Sequence, residues 1–346
     1  MTAVPLDCLL IADDLTGACD AGVHFGATVM IAPDAEAPGA RVIALSTESR
    51  DLAPEGIRRA MAHAAVAFPP HSAARVFKKI DSTLRGNTGL EIALALESFQ
   101  CEAAVVCPSF PAMQRVVEHG FLKVTSAPEF APIDVSARLA QQSGLPCAHT
   151  APDGVAALLA SGTRLVSVDA NCDLDLDRIA AAILPMGRPI LWAGSAGLAS
   201  ALARLLGAGR AATPAPARPG AVLFCIGSDH PVTLAQQAAL LAERSCVVLR
   251  IPRGLISEDE VRERIAGAPA AALFLSGGDT ASLVCRAAGV QRIELCGEIV
   301  AGVPHGILRG GAFDGVAVVT KSGGFGHSDT LIQVADYFTC LNQPLP

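Results

Sequence analysis

Leu6–Gly22 reads LDCLLIADDLTGACDAG. The apolar run Leu6–Ala12 fits a buried strand, and the Asp13-Asp14 pair that ends it is suited to capping a following helix. Similar units recur along the chain. Arg41–Leu45, Arg75–Ile80, Ala103–Cys107, Arg164–Val168 and Pro189–Ala193 read as further strands. Between them Pro54–Ala67, with proline near its first turn, Gly89–Ser98 and Ser195–Leu206 carry apolar residues at helical spacing. Strands alternating with helices imply crossover connections, so the expected class is α/β, with mainly parallel sheets covered by helices.

The clearest interruption is Gly207–Gly220, GAGRAATPAPARPG. Its alternating prolines fit neither a helix nor a central strand and favour an extended linker. Beyond it the pattern restarts, with strands at Ala221–Ile226, Cys246–Arg250, Ala271–Leu275 and Val316–Val319. Helices are expected near Val232–Glu243, Ser257–Ile265 and Thr280–Ala288. The reading is an N-terminal domain over 1–210, a Pro/Ala-rich linker over 211–220 and a smaller α/β domain over 221–346, with a ligand cleft between the domains.

Among 346 residues, 51% are hydrophobic and only 17% charged, which describes a well-buried globular protein. Aromatics are scarce at 4%, so the cores must be aliphatic. A net charge of −7 gives no global attraction to nucleic acid or anionic lipid, and any bound anion needs a local cluster of cations. The eleven cysteines form no C-x-x-C pair and no metal spacing with the histidines; they read as reduced, mostly buried thiols. No stretch is long enough to span a bilayer, and the apolar run at Cys8–Ala12 lacks a basic leader. The expected location is the cytoplasm. The oligomeric state is open, a homo-oligomer included.

Lys78–Asn87, KKIDSTLRGN, puts two ammonium groups, a carboxylate, two hydroxyls, a guanidinium and a carboxamide directly after the apolar pair Val76-Phe77. Such a set suits a small, anionic, hydroxylated ligand, because arginine pairs with carboxylates in a fork while carboxylate and amide side chains bond hydroxyls. Asp13 and Asp14 end the first strand, where a carboxylate accepts hydrogen bonds from substrate hydroxyls or takes a proton, unless it merely caps the next helix. Ser46–Arg50, STESR, follows the second strand and should open on the same edge, where Arg50 could clamp a carboxylate.

In the second domain three strands run into small-residue turns: GSDHPVT from Gly227, SGGDTA from Ser276 and TKSGGFG from Thr320. Loops at the carboxyl ends of parallel strands converge on one crevice, and glycine lets N–H groups approach a phosphate. The set looks like a nucleotide-phosphate cradle. Gly315–Ser322, GVAVVTKS, ends as a P-loop does but has threonine at the second glycine, and no G-x-G-x-x-G opens either domain. Gly194–Gly197, GSAG, fails the spacing of a nucleophile elbow. His230 and His327 lie in the glycine-containing loops, where an ordinary loop role is expected.

Together these segments resemble the four-carbon acid sugar kinase family. The resemblance also takes in CPSFPAMQR at Cys107–Arg115, AGSAGLA at Ala193–Ala199 and the extension of Lys78–Asn87 to Glu91. It implies a two-domain kinase that transfers a phosphoryl group from ATP to a C4 sugar acid such as threonate, erythronate or 3-oxo-tetronate. It implies further that Asp14, Arg50 and Asp81-Ser82-Thr83-Leu84-Arg85 line the acid site, and that Ser228, Gly277-Gly278-Asp279-Thr280 and Gly323-Gly324 hold ATP. The IDSTLRGN form is closer to the threonate and erythronate kinases. Two departures stand out: a chain several tens of residues short, and Asp229-His230 in place of a small, hydroxyl-rich pair.

The resulting expectation is in-line phosphoryl transfer from Mg2+-ATP to a hydroxyl of a small sugar acid. Asp14 orients or deprotonates the acceptor, with Asp13 beside it. Arg50, Arg85 and Lys79 neutralise the acid or the incoming phosphoryl charge; Lys321 joins the glycine loops around ATP, and Asp279 helps hold the metal. The rivals are a kinase for a different sugar acid, a non-catalytic sugar-acid sensor, and a dehydrogenase that would lack its dinucleotide fingerprint.

Overall fold

The structure is a computed structural model that describes residues 6–31, 35–208, 220–268 and 270–341. The linker expected over 211–220 lies outside them except for Gly220. The chain divides into two compact units, Met1–Phe25 with Gly39–Gly209 and Gly26–Pro38 with Arg210–Pro346. Gly26–Pro38, inside the stretch 1–210, thus belongs to the second unit.

In chain order the strands are β1 (Cys8–Ala12), β2 (Thr28–Met30), β3 (Val42–Ser46), β4 (Val76–Lys79), β5 (Ala103–Cys107) and β6 (Arg115–Glu118). They continue with β7 (Phe121–Val124), β8 (Ile133–Asp134), β9 (Ala148–Thr150), β10 (Leu165–Val168) and β11 (Ile190–Gly194). The remainder are β12 (Ala221–Ile226), β13 (Val247–Arg250), β14 (Ala270–Ser276), β15 (Arg292–Val300), β16 (Val303–Arg309) and β17 (Ala317–Lys321).

The first unit's main sheet runs β3-β1-β4-β11-β5-β10-β9, with every neighbouring pair parallel. Every residue of β1, β5, β10 and β11 is buried, which is why these strands read as unbroken apolar runs rather than as alternating ones. The small antiparallel sheet β6-β7-β8 stands apart from it. Because β1 lies between β3 and β4, the loops that leave these three strands are neighbours.

The second unit's sheet runs β13-β12-β14-β17-β16-β15-β2. The first four strands are parallel, as expected, but β16, β15 and β2 pair antiparallel. The mainly parallel pairing expected thus holds for most of the strands, while these three antiparallel ones make this sheet a mixed one. β15 and β16 are joined by Ala301-Gly302 alone, too short for a crossover helix, with Gly302 at φ +73. The core also departs from purely aliphatic: Phe224 and Phe274 pack as tilted rings with centroids 5.2 Å apart among Val222, Ile226, Leu240 and Leu331.

All eleven cysteines are free thiols. Burial pushes Cys8 and Cys225 up to about 12, so these side chains behave as apolar filler. No helix among the described residues is long and apolar enough to cross a membrane.

Candidate functional site

In the first unit the carboxyl ends of β1, β3 and β4 bring the expected acid-site residues into one hydrogen-bonded cluster. Asp14 is the N-cap of the helix Leu15–Gly22: its backbone is extended, and its Oδ1 accepts from the Gly17 N–H at 2.7 Å. The cap leaves Oδ2 to accept from Thr16 Oγ1 at 3.0 Å and from Arg50 Nη1 at 2.6 Å. The cap thus falls on Asp14, the aspartate that was also expected to act on the acceptor.

Arg50 does not stand open to clamp a carboxylate from solution. Its Nε and Nη2 grip Asp13 in a fork at 2.7 and 2.9 Å, and Nη2 lies 3.9 Å from Asp81 Oδ1. Three of its five N–H donors are spent on Asp13 and Asp14, so two remain. The loop after β4 folds back on Asp81, whose Oδ2 accepts from the Thr83 and Arg85 N–H groups at 3.0 and 3.2 Å. Arg85 forks onto the same carboxylate at 3.0 and 2.5 Å while its side chain stays 62% exposed. Leu84, at φ +55 and buried, turns the chain between them, and Ser82 is buried beside Asp81.

The electrostatics follow from this packing. Burial pushes the Asp14 carboxyl up, but Arg50, Lys79, the Gly17 N–H and the Thr16 hydroxyl together hold it below its ordinary value. Asp81 is likewise desolvated, and Arg85, Arg50 and Thr83 bring it well below the usual carboxylate range. Asp14 is therefore ionised at neutral pH and suited to accept a hydrogen bond. Lys79, buried, donates to the Ile80 carbonyl at 2.9 Å.

Sequence reasoning overlooked the layer beneath. Lys78 pairs with Glu91 at 2.5 Å, and Glu91 also accepts from Ser49 Oγ at 2.8 Å. Ser49 precedes Arg50, and Thr47 ties the same loop to the Ala12 carbonyl at 2.9 Å. The available signal was a charge, Glu91, one turn before Ala95 on the apolar face of Thr88–Ser98. Arg115 was quoted in a motif but given no role; its Nη1 donates to the Met113 carbonyl, and it lies within the fields of Asp81 and Arg85.

In the second unit the three glycine loops meet. The Gly227 N–H donates to the Ser276 carbonyl at 3.2 Å, and the Gly277 N–H to the Lys321 carbonyl at 3.0 Å. The approach is close enough that a Cβ on Gly227 would lie 1.8 Å from Thr280 Oγ1, and one on Gly323 would lie 2.2 Å from Ser228 Oγ. Gly278, Asp279 and Thr280 form the first turn of the helix Gly278–Ala287, where N–H groups and dipole favour an anion. Asp279 is 54% exposed and paired with Arg253. Lys321 is buried beneath Gly323 and Gly324, and desolvation pushes its ammonium down to about 7.

The remaining residues have local roles. His230 caps the helix Pro231–Glu243 by accepting from the Val232 N–H at 3.2 Å, and Asp229 pairs with Arg250 at 2.6 Å. The His327 N–H donates to Thr330 Oγ1 at 2.8 Å. Ser195 Oγ is spent on the Ser109 carbonyl and the Gly197 N–H, as expected of a mere look-alike elbow.

Comparison with known proteins covers both sites. Residues 8–202 match the sugar-binding N-terminal domain and residues 259–331 the nucleotide-binding C-terminal domain. A D-threonate kinase of Bordetella bronchiseptica is 32% identical over 401 residues, spanning 94% of this chain and 96% of the relative. A D-erythronate kinase of Heliobacterium modesticaldum is 28% identical over 429 residues, spanning 95% and 96%. Both alignments are longer than the 346 residues here, so these relatives carry internal segments that this chain lacks. A Haemophilus influenzae protein shares the fold with a TM-score of 0.71 at 18% identity, covering 97% of this chain and 100% of that one. Matched at nearly full length by named kinases and by both domains, the chain belongs to the four-carbon acid sugar kinase family, a family of phosphotransferases.

Proposed function

We propose that this protein phosphorylates a hydroxyl of a threonate- or erythronate-type acid, with the acid bound by the first unit and ATP by the loops of the second. The observation that carries the reading is the cluster around Asp14. Asp13, Asp14 and Asp81 face Arg50, Lys79 and Arg85, which balances their charge, and Arg115 adds one further cation. A monoanionic acid restores neutrality there, while the carboxylates offer acceptors to its hydroxyls.

Asp14 orients the acceptor hydroxyl by accepting its hydrogen bond; held ionised and engaged with Arg50, it is a better positioner than a base. Arg85, the most exposed cation of the cluster, is placed to meet the acid's carboxylate. Ser228, Gly278–Thr280 and Gly323-Gly324 supply N–H and hydroxyl groups to the polyphosphate, Gly277 lines the same place as a residue without a side chain, and Lys321 lies in the loop of Gly323-Gly324. No group of three His, Cys, Asp or Glu side chains that could hold a metal occurs among the described residues. Magnesium commonly takes one or two carboxylates with phosphates and water, and Asp279 fits as such a single ligand once it parts from Arg253. When bound, Mg2+ would offset charge on the transferring phosphates.

The test is ADP release from Mg2+-ATP with D- and L-threonate, D- and L-erythronate and 3-oxo-tetronates, with Asp14→Asn as control. Turnover on one acid, lost in the variant, supports the reading. ATP binding without turnover of any of these acids moves the substrate to another sugar acid. Absence of ATP binding sinks the kinase reading and favours a sugar-acid sensor.

A further inference from the structure

The loop Thr320–Gly326 is built around an ammonium group. Lys321 ends β17 with only 1% exposure. Its Nζ lies 2.9 Å from the Ser322 carbonyl, 3.2 Å from that of Gly323, 3.1 Å from that of Phe325 and 3.1 Å from Thr233 Oγ1. Four oxygens surround three N–H donors, so every donor is engaged inside the protein. Thr233, fully buried in the first turn of Pro231–Glu243, donates in turn to the Gly323 carbonyl at 2.7 Å. One turn further on, Gln236 Nε2 donates to the Phe325 and His327 carbonyls at 3.0 and 2.7 Å.

This inward set of carbonyls dictates what the loop shows on its other side. The peptide bonds are trans, so each C=O and the N–H that follows it point in opposite directions. With the carbonyls of Ser322, Gly323 and Phe325 turned towards Nζ, the N–H groups of Gly323, Gly324 and Gly326 are turned away from it. Among the described residues, none of these three N–H groups donates within the protein. Successive outward N–H groups form a concavity for an anion, and glycine adds no side chain of its own beside Ser228 and His230.

We propose that Lys321 is a positioning residue whose ammonium draws three carbonyls inward and so presents the Gly323, Gly324 and Gly326 N–H groups to the phosphate oxygens of a nucleotide, without itself touching the nucleotide. The proposal rests on the nucleotide site assigned above. It gives Lys321 an indirect role where the sequence motif suggested direct contact. It also gives Thr233 a role in the same device, because that hydroxyl bridges the ammonium and the Gly323 carbonyl.

The experiment compares wild type, Lys321→Met and Thr233→Val by ATP equilibrium dialysis, by steady-state kinetics in ATP and in the acid, and by thermal melting. Lys321→Met should raise the KM for ATP by about tenfold or more, as expected when a charge-assisted hydrogen-bond set is lost. Thr233→Val should shift it in the same direction by a smaller factor, roughly threefold, because it removes the hydroxyl bridge but leaves the ammonium with its three carbonyls. The KM for the acid should stay within about twofold and kcat at saturating ATP within about threefold, a split that general destabilisation would not produce.

Unchanged ATP affinity in both variants overturns the proposal and leaves the nucleotide site standing. Loss of affinity in Lys321→Met with a silent Thr233→Val also overturns it, because that pattern marks direct contact with phosphate. If Lys321→Met does not fold, Thr233→Val decides alone. Failure of the wild type to bind ATP overturns both the nucleotide site and this inference.

Discussion

Lys78 and Glu91 meet inside the first unit, Nζ to Oε2 at 2.5 Å, with side chains only 0% and 3% exposed. Neither group is at the surface of the site, yet both hold it: Lys78 lies one residue before Lys79, and Glu91 grips Ser49 one residue before Arg50. A buried pair of this kind adds little net stability beside an apolar substitute, but breaking it strands a charge.

Glu91→Gln or Lys78→Met alone should therefore destabilise the first unit by about 3–5 kcal/mol, and Lys78→Met/Glu91→Leu should recover much of that loss. Urea unfolding of the three variants measures it. Equal loss in the single and double variants would show that the pair is held by something other than mutual charge.

Asp14→Asn should lower kcat by roughly 10²-fold, as expected when the acceptor hydroxyl loses its positioning partner, with little effect on the KM for ATP. Asparagine keeps an oxygen for the Gly17 N–H, so the helix Leu15–Gly22 stays capped, but its Nδ2 then faces Arg50 Nη1 where Oδ2 accepted, and a lowered melting temperature is expected beside the loss of turnover. Near-normal turnover in steady-state assays would remove Asp14 from the reaction.

Acid stability should carry the mark of Asp81. Its folded carboxyl lies below the unfolded value near ~3.9, so the unfolded chain takes up protons first and the stabilisation, complete above that pH, drains away as the pH falls further. In denaturant titrations below about pH 4, Asp81→Asn should show a shallower pH slope than wild type. Identical slopes would mean that Asp81 keeps the same proton affinity folded and unfolded.

Gly227→Ala drives a methyl to 1.8 Å from Thr280 Oγ1 and 2.5 Å from the Ile251 carbonyl, and the backbone oxygen cannot swing aside. A cost of about 1–3 kcal/mol is expected, with a raised KM for ATP because two glycine loops are pushed apart. Calorimetry and ATP titration report the two effects separately; a variant unchanged in both would contradict the close approach of these loops.

Much of this was readable in the chain itself, for a physical reason. Strands buried on both faces leave unbroken apolar runs, so Ala103–Cys107 and Ala221–Ile226 were expected with the same bounds that the structure gives. Parallel pairing puts the loops after β1 and β3 on one edge, which is why Arg50 could be grouped with Asp14 from strand order, whereas Asp81 joined them through the family resemblance. β15 and β16 escaped because a hairpin has no helix to announce it, and β2 because three residues make no periodic signal. The enclosure of Lys321 was equally hidden: its oxygens come from residues as distant as Thr233, and burial of a charge is a property of packing rather than of local pattern.

The pairing of β2 with β15 also constrains how the protein is made. Thr28–Met30 leaves the ribosome early, but its partner Arg292–Glu294 is synthesised more than two hundred and fifty residues later. Until then β2 has no β15 to pair with, and the second unit cannot be completed from the C-terminal half of the gene alone. Expressed by itself, that half would show the bare edge of β15 to other chains, a template for aggregation, whereas supplying Gly26–Pro38 as a separate peptide should restore its solubility.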